Sequence, residues 1–279
     1  MLSDTAYLKA AYRLRMGKRL NLAHPQTFNE KLQWLKLNDR QSVYTRMADK
    51  FAARAFVAER IGERHLIPLL GVWDDPEDID FDDLPNKFVL KCNHNSGLGM
   101  CICKDKASLD IKQTKAALAR GLRENYYLRG REWPYRDIPR KIVAEAFIED
   151  ASGDLKDYKF LCFNGKVELF DIDFDRFINH HVNYYDIHGK LLPVGLVDFP
   201  PLPERNLPIP DNLEEMISIA ETLAQGCPFL RVDLYNVNGA VYFGEMTFFP
   251  SSGMGKFFPE EWDTLLGEQL TLPEVASGV

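Results

Sequence analysis

The chain has 279 residues, 46% of them apolar and 27% charged, with a formal net charge of −7, an ordinary balance for a globular protein of one large or two small domains. The acidic pI of about 5.5 gives no support to non-specific nucleic-acid binding. No apolar run reaches the ~20 residues of a membrane span, and the charged first twenty residues offer no signal peptide. The five cysteines, an odd number with no disulfide framework, point to a reducing, cytoplasmic setting.

Residues 1–47 are predicted to be helical. Thr27 with Glu30 three residues on is a capping box that opens a helix carrying Phe28, Leu32, Trp34 and Leu35. A stronger helix is predicted over 48–62, with Gly62 as its stop. It puts Lys50 and Arg54 one turn apart, either as a solvated basic stripe or as a basic functional face. A short strand (65–73) and an acidic, solvated loop (74–83) follow.

Residues 88–104 are predicted to form a hairpin around a polar, glycine-containing loop, Asn93 to Gly99. The backbone N–H groups of such a tip can wrap phosphate, and Lys91 stands just before it; most loops of this kind are merely turns. His94 is either a phosphate contact or an ordinary polar loop residue. Cys92, Cys101 and Cys103 do not have zinc-site spacing and suit small apolar strand positions. A helix over 110–130 leads into a basic, aromatic loop, Arg129 to Trp133, fit for an anionic substrate or a subunit contact.

Strands are predicted over 141–148, 157–163 and 166–173, the last two joined by an Asn164-Gly165 turn. A further strand covers 179–185, a proline-rich loop 193–212, and a helix 212–225 with Asn212 as its cap. The last hairpin, 229–247, carries two acids in mid-strand, Asp233 and Glu245, where acids are rare unless paired or binding a metal. A two-residue Asn238-Gly239 loop would point the acids to opposite faces. A three-residue Val237-Asn238-Gly239 loop would set Asp233 against Phe243 and Arg231 against Glu245, with both acids on one face roughly 7–8 Å apart. The three-residue loop is the expectation. The bland alternative is an Arg231–Glu245 cross-strand pair with Asp233 solvated.

These stretches, DKFAARAFVAERIGERHLIPLLGVW, FVLKCNHNSG, REWPY, DYKFLCFNGK and CPFLRVDLYNVNGAVYFGEMTF, give the chain a resemblance to the ATP-grasp superfamily over about residues 25–273. It is most similar to the TupA-like branch, named for teichuronopeptide biosynthesis and found among surface-polysaccharide genes. The resemblance implies an α+β chain: a helical segment (1–47) in place of a full N-terminal domain, then an ATP-grasp domain (48–273) and a tail (274–279). It implies two α+β lobes with ATP between them, a lid lobe of about 85–147 and a C-terminal lobe of about 148–273. By the same resemblance Lys50 and Lys91 are the phosphate lysines, and Asn95, Ser96, Gly97 and Gly99 the loop that closes over the phosphates. Glu145, Ala146, Phe147 and Ile148 line the adenine, and Lys159 joins the nucleotide-binding set. Asp233 and Glu245 are the Mg²⁺ carboxylates, with Thr247 where the superfamily commonly has Asn. Arg176 and Arg231 are cations near the reacting phosphate, and Ser251, Ser252 and Gly253 lie near the acceptor.

The implied activity is an ATP- and Mg²⁺-dependent carboxylate–amine ligase acting through an acyl phosphate. Its implied partners are ATP, a carboxylate acceptor such as a uronic-acid glycan and an amine donor such as an amino acid, with no nucleic acid. Two rivals stand beside it: a glycosyltransferase using the DxD sequence Asp171-Ile172-Asp173, and a non-catalytic nucleotide-binding protein.

Overall fold

The computed structural model describes residues 2–150, 155–174, 179–205 and 209–274. The chain divides into two compact units, residues 1–40 with 156–279, and residues 41–155; the second is inserted in sequence between the two segments of the first.

The first unit begins with α1 (Asp4–Met16) and α2 (Phe28–Asn38). Thr27 and Glu30 form the expected capping box on α2. The inserted unit then runs α3 (Ser42–Ala48), α4 (Ala53–Ile61), β1 (Leu69–Trp73), β2 (Phe88–Cys92), β3 (Cys101–Cys103), α5 (Ile111–Leu122), α6 (Tyr127–Gly130) and β4 (Ile142–Ala146). Its strands form one antiparallel sheet in the order β1-β4-β2-β3. Phe88, Leu90, Ile142 and Ala144 point from that sheet into a core shared with Leu118 of α5 and with Ile79, Phe81 and Leu84 of the acidic loop. The helix expected over 48–62 starts late. Asp49 accepts the Phe51 N–H through its side chain, an Asx turn that delays the helix, so Lys50 sits in the turn between α3 and α4. The helix expected over 110–130 breaks after Leu122 into α5 and the short α6.

The first unit resumes with β5 (Asp157–Phe163), β6 (Lys166–Phe174), β7 (His181–Asp186), β8 (Gly195–Leu196), α7 (Leu213–Ala224), β9 (Phe229–Val237), β10 (Ala240–Thr247), β11 (Phe257–Phe258) and α8 (Glu261–Gln269). Its main sheet is antiparallel in the order β10-β9-β5-β6-β7, and β8 pairs with β11. One face is apolar: Phe160, Phe170, Val232 and Leu234 are buried there and packed under α7. Asn212 does not cap α7 through its side chain. That amide is taken by the hairpin turn, donating to the Gly239 carbonyl at 3.0 Å and accepting from Asn236 at 2.6 Å.

Helix α2 joins this unit through both kinds of contact. Phe28 packs on Phe163 and Phe229 with ring centroids 5.5 and 4.9 Å apart. On the same helix Asn29, Gln33 and Lys36, spaced by one turn, are buried polar residues aimed at the loop after β10. Asn29 exchanges two hydrogen bonds with the Gly255 backbone, and Gln33 donates to the Gly253 carbonyl at 2.6 Å. Lys36 donates to the Ser252 carbonyl and hydroxyl.

Candidate functional site

The hairpin expected to carry the metal ligands forms, but by a different device. Val237 pairs with Ala240, so the loop is the two-residue Asn238-Gly239 turn, both residues left-handed at φ 53° and 89°. That register alone would send the acids to opposite faces. It is corrected midway: Phe243 pairs with Leu234, Gly244 bulges out, and Glu245 then stands directly across from Asp233. The three-residue loop was the wrong mechanism, and the common face is reached through the bulge. Gly244 suits that place because a Cβ there would lie 2.9 Å from the Asp233 carbonyl oxygen.

The rung continues across the sheet. Asp233 pairs with Lys159, Lys159 with Asp171, and Asp171 with Tyr184. Each of four adjacent strands carries polar residues at i and i+2: Asp157 and Lys159, Asp171 and Asp173, Arg231 and Asp233, Glu245 and Thr247. Residues two apart share a face, so the sheet has one apolar face and one charged face.

Arg231 grips Asp233 with two bonds of 2.7 Å, one from Nε and one from an Nη. The same Nη lies 3.5 Å from Glu245 and 3.3 Å from the Thr247 hydroxyl. The alternative of a solvated Asp233 does not hold, since that residue is buried. Burial pushes its carboxyl up to about 7, aided by Asp157 and Glu245 and opposed by Arg231 and Lys159. Burial likewise lifts Asp171 to about 8 against the pull of Lys159 and Arg231. Lys159 is buried too, which alone would lower it; the carboxylates of Asp157, Asp233, Asp173 and Asp171 outweigh burial and hold it raised. It donates to Asp157 at 2.6 Å and to Asp173, and His180 bonds the other Asp173 oxygen at 2.8 Å. Asp171 and Asp173, the DxD pair, thus form part of the charged face. Asp157 and His180 did not emerge from the sequence as site residues, and Asp173 did so only within the DxD pair; the i, i+2 charges on four strands were the signal that shows Asp157.

In the inserted unit Lys91 donates to Glu145 at 2.5 Å, and Arg54 meets the other Glu145 oxygen at 3.4 Å. Lys50 donates to the Asn95 carbonyl at 2.7 Å. The basic pair of Lys50 and Arg54 is therefore turned inward. The Asn93–Gly99 loop is anchored at its base: the Asn93 side chain binds Asp49, Pro139 and Lys141, and Asn95 donates to Gly121. Gly99 packs on Gly121 with no space for a Cβ. Ser96 and Gly97 are left exposed at the tip. His94 is buried, its Nε2 on the Glu124 carbonyl, and burial lowers its pKa. Next to Glu145, the Ala146 N–H donates to the Pro68 carbonyl. The ammonium groups of Lys87 and Lys104 lie 5.8 and 5.9 Å from the centroid of the Phe147 ring, and Ile148 follows, half-buried. Ser251, Ser252 and Gly253 are three successive left-handed residues at φ 49°, 55° and 60°. Arg176 lies outside the described residues.

Among the described residues no group of three or more His, Cys, Asp or Glu side chains is arranged to hold a metal. The set Asp233, Glu245 and Thr247 is different in kind: two carboxylates and a hydroxyl, all hard oxygens, already gathered about one cation, the Arg231 guanidinium. Mg²⁺ is commonly held by one or two carboxylates, with phosphate and water completing its shell. These residues fit that ion.

Comparison with solved structures finds D-alanine–D-alanine ligase from Helicobacter pylori at 14% identity and TM-score 0.47, covering 88% of this chain and 69% of that one. An ADP complex of N5-carboxyaminoimidazole ribonucleotide synthetase matches at 15% identity and TM-score 0.46, covering 77% and 49%. The ATP-grasp ligase PsnB, complexed with a precursor variant, Mg and ADP, matches at 11% and 0.43, covering 82% and 59%. The chain thus spans about half to two thirds of the length of these proteins. Curated proteins yield no match. No helix of the described residues is long and apolar enough to cross a membrane. The sequence model of the TupA-like ATPgrasp family matches residues 30–271, nearly the whole chain. On that match the chain belongs to the TupA-like ATP-grasp family, with its α+β fold.

Proposed function

We propose that the protein is an ATP- and Mg²⁺-dependent ligase that joins a carboxylate to an amine through an acyl phosphate. The observation that supports it most is the gathering of the Asp233, Glu245 and Thr247 oxygens about one cation on the polar face of a sheet, in a chain of the ATP-grasp family.

In this reading Asp233 and Glu245, with Thr247 beside them, hold Mg²⁺. Lys50, Lys91 and Lys159 take the phosphates, with Ser96 and Gly97 as the mobile cover. Backbone groups from Glu145 to Ile148 read the adenine. When bound, the metal neutralises phosphate charge. The reaction needs no protein nucleophile: an oxygen of the substrate carboxylate takes the γ-phosphoryl group, and the amine then displaces phosphate to leave an amide, ADP and inorganic phosphate. What the chain contributes is fixed charge and orientation. Lys159, held by Asp157, is suited to meet negative charge as it develops, and Arg231, bonded to Asp233 while the metal is absent, is close enough to turn to a phosphate. Glu145 orients Lys91 and Arg54. The strained Ser251–Gly253 turn, pinned by α2, presents a rigid edge to the acceptor. The acceptor and donor we assign are a uronic acid of a surface glycan and an amino acid.

The test is to offer ATP, Mg²⁺ and a panel of uronic-acid glycans with amino acids, and to measure ADP and phosphate. Release that requires both acceptor and amine is expected. Sugar-nucleotide hydrolysis without ATP binding would reject this function in favour of a glycosyltransferase. Glu245→Gln is expected to abolish turnover with an unchanged circular-dichroism spectrum; full activity in that variant removes Glu245 from the site.

A further inference from the structure

One guanidinium touches all three side chains assigned to the metal. Arg231 bonds both oxygens of Asp233, and a single Nη also reaches Glu245 Oε1 and Thr247 Oγ1. A divalent cation and this guanidinium seek the same oxygens and repel each other, so the two cannot stand there together. We propose that Arg231 acts as a resident counter-ion that keeps the metal off these oxygens until a nucleotide phosphate draws it away, making metal binding conditional on nucleotide. The proposal rests on the ATP·Mg²⁺ reading above.

The physics of the displacement sets the condition. A metal arriving alone must break a forked, charge-assisted pair and leave a half-buried guanidinium without a counter-charge. No new carboxylate waits in its own register: its cross-strand neighbours are Thr247 on β10 and Leu161 on β5. Phosphate is the other anion whose oxygens match the guanidinium fork. When phosphate takes the guanidinium, Asp233 and Glu245 are released to the metal, and the phosphate oxygens complete its shell. Metal and nucleotide then strengthen each other's binding by the same factor.

The experiment uses the full chain with Mn²⁺ as the metal and the β,γ-imido analogue of ATP as the nucleotide. Free Mn²⁺ is read by electron paramagnetic resonance, and analogue binding by calorimetry. In the wild type, Mn²⁺ alone is expected to bind weakly and the analogue to tighten it at least about tenfold, within the usual range of such couplings. Arg231→Met is expected to bind Mn²⁺ alone about tenfold tighter than wild type, with the analogue adding less than about threefold. In that background Asp233→Asn removes the gain, which locates the metal on these oxygens. Arg231→Lys keeps a charge without the fork and falls between the two. A folded Arg231→Met that binds Mn²⁺ alone no tighter than wild type overturns the proposal. Should that variant not fold, the wild type decides: analogue binding that leaves Mn²⁺ affinity unchanged overturns the proposal while keeping the nucleotide reading. A wild type that does not bind the analogue with Mn²⁺ overturns both.

Discussion

At Asp171 burial outweighs the cations around it, and the carboxyl stays protonated to about pH 8. The sign of the consequence follows from proton counts. Between the ordinary carboxylate range and pH 8, folded Asp171 keeps a proton that the unfolded chain has released. Stability therefore falls as pH rises through that window and levels off above it. Asp171→Asn stays neutral throughout and removes this loss. We expect the variant's melting temperature to gain on wild type between pH 5 and pH 9, by the equivalent of about 2 kcal/mol, well under the full ~1.4 kcal/mol for each tenfold change in proton affinity because the site relaxes. A difference between the two proteins that is constant across that range counts against the assignment. Asp233 pushes the same way, so Asp171→Asn should still lose stability as pH rises, but less steeply than wild type.

Among the elements, β10 depends on one glycine. Gly244 is the extra residue that puts Glu245 across from Asp233, and a methyl group there would press on the Asp233 carbonyl and the Tyr235 ring, 2.9 and 3.2 Å away. Gly244→Ala should lower stability by about 1–3 kcal/mol, the usual size of overpacking, seen as a lower urea midpoint with an unchanged slope. An unshifted midpoint would show that the bulge has room to spare. This strand also marks the limit of what the sequence discloses. Alternation and the Asn238-Gly239 turn make the hairpin legible, and the capping box at Thr27 and the Asn164-Gly165 turn are equally plain. A bulge is a tertiary choice, however, and the one-residue count it changes decides which face every later side chain takes. The pairing of β5 with β9 joins residues about seventy apart; no local pattern sets that register, so the row from Glu245 to Asp171 was out of reach although each charge was visible. Asn212 failed as a cap for a related reason: its amide was claimed by a turn distant in sequence.

On the scale of the whole molecule, the chain closes one unit around an insertion. Residues 41–155 are continuous and own their core of Phe88, Leu90, Leu118, Ile142 and Ala144. Expressed alone, this stretch should fold, with dispersed amide NMR signals and a cooperative melt. A collapsed spectrum would show that its stability is borrowed. The other unit has no such continuity, because α2 finds its polar partners on residues 252–270 and its aromatic ones at Phe163 and Phe229. That separation bears on synthesis. Gln33 and Ser252 are 219 positions apart, so at ribosomal rates α2 waits on the order of ten seconds or more before its partner loop exists. The face it will bury carries Asn29, Gln33 and Lys36 among its apolar residues. Those side chains are hydrated while the helix waits, and they interrupt what would otherwise be a sticky stripe. The polar clamp on the serine loop is thus also a safeguard for the nascent chain: a surface that resists premature association until the strands that complete it leave the ribosome.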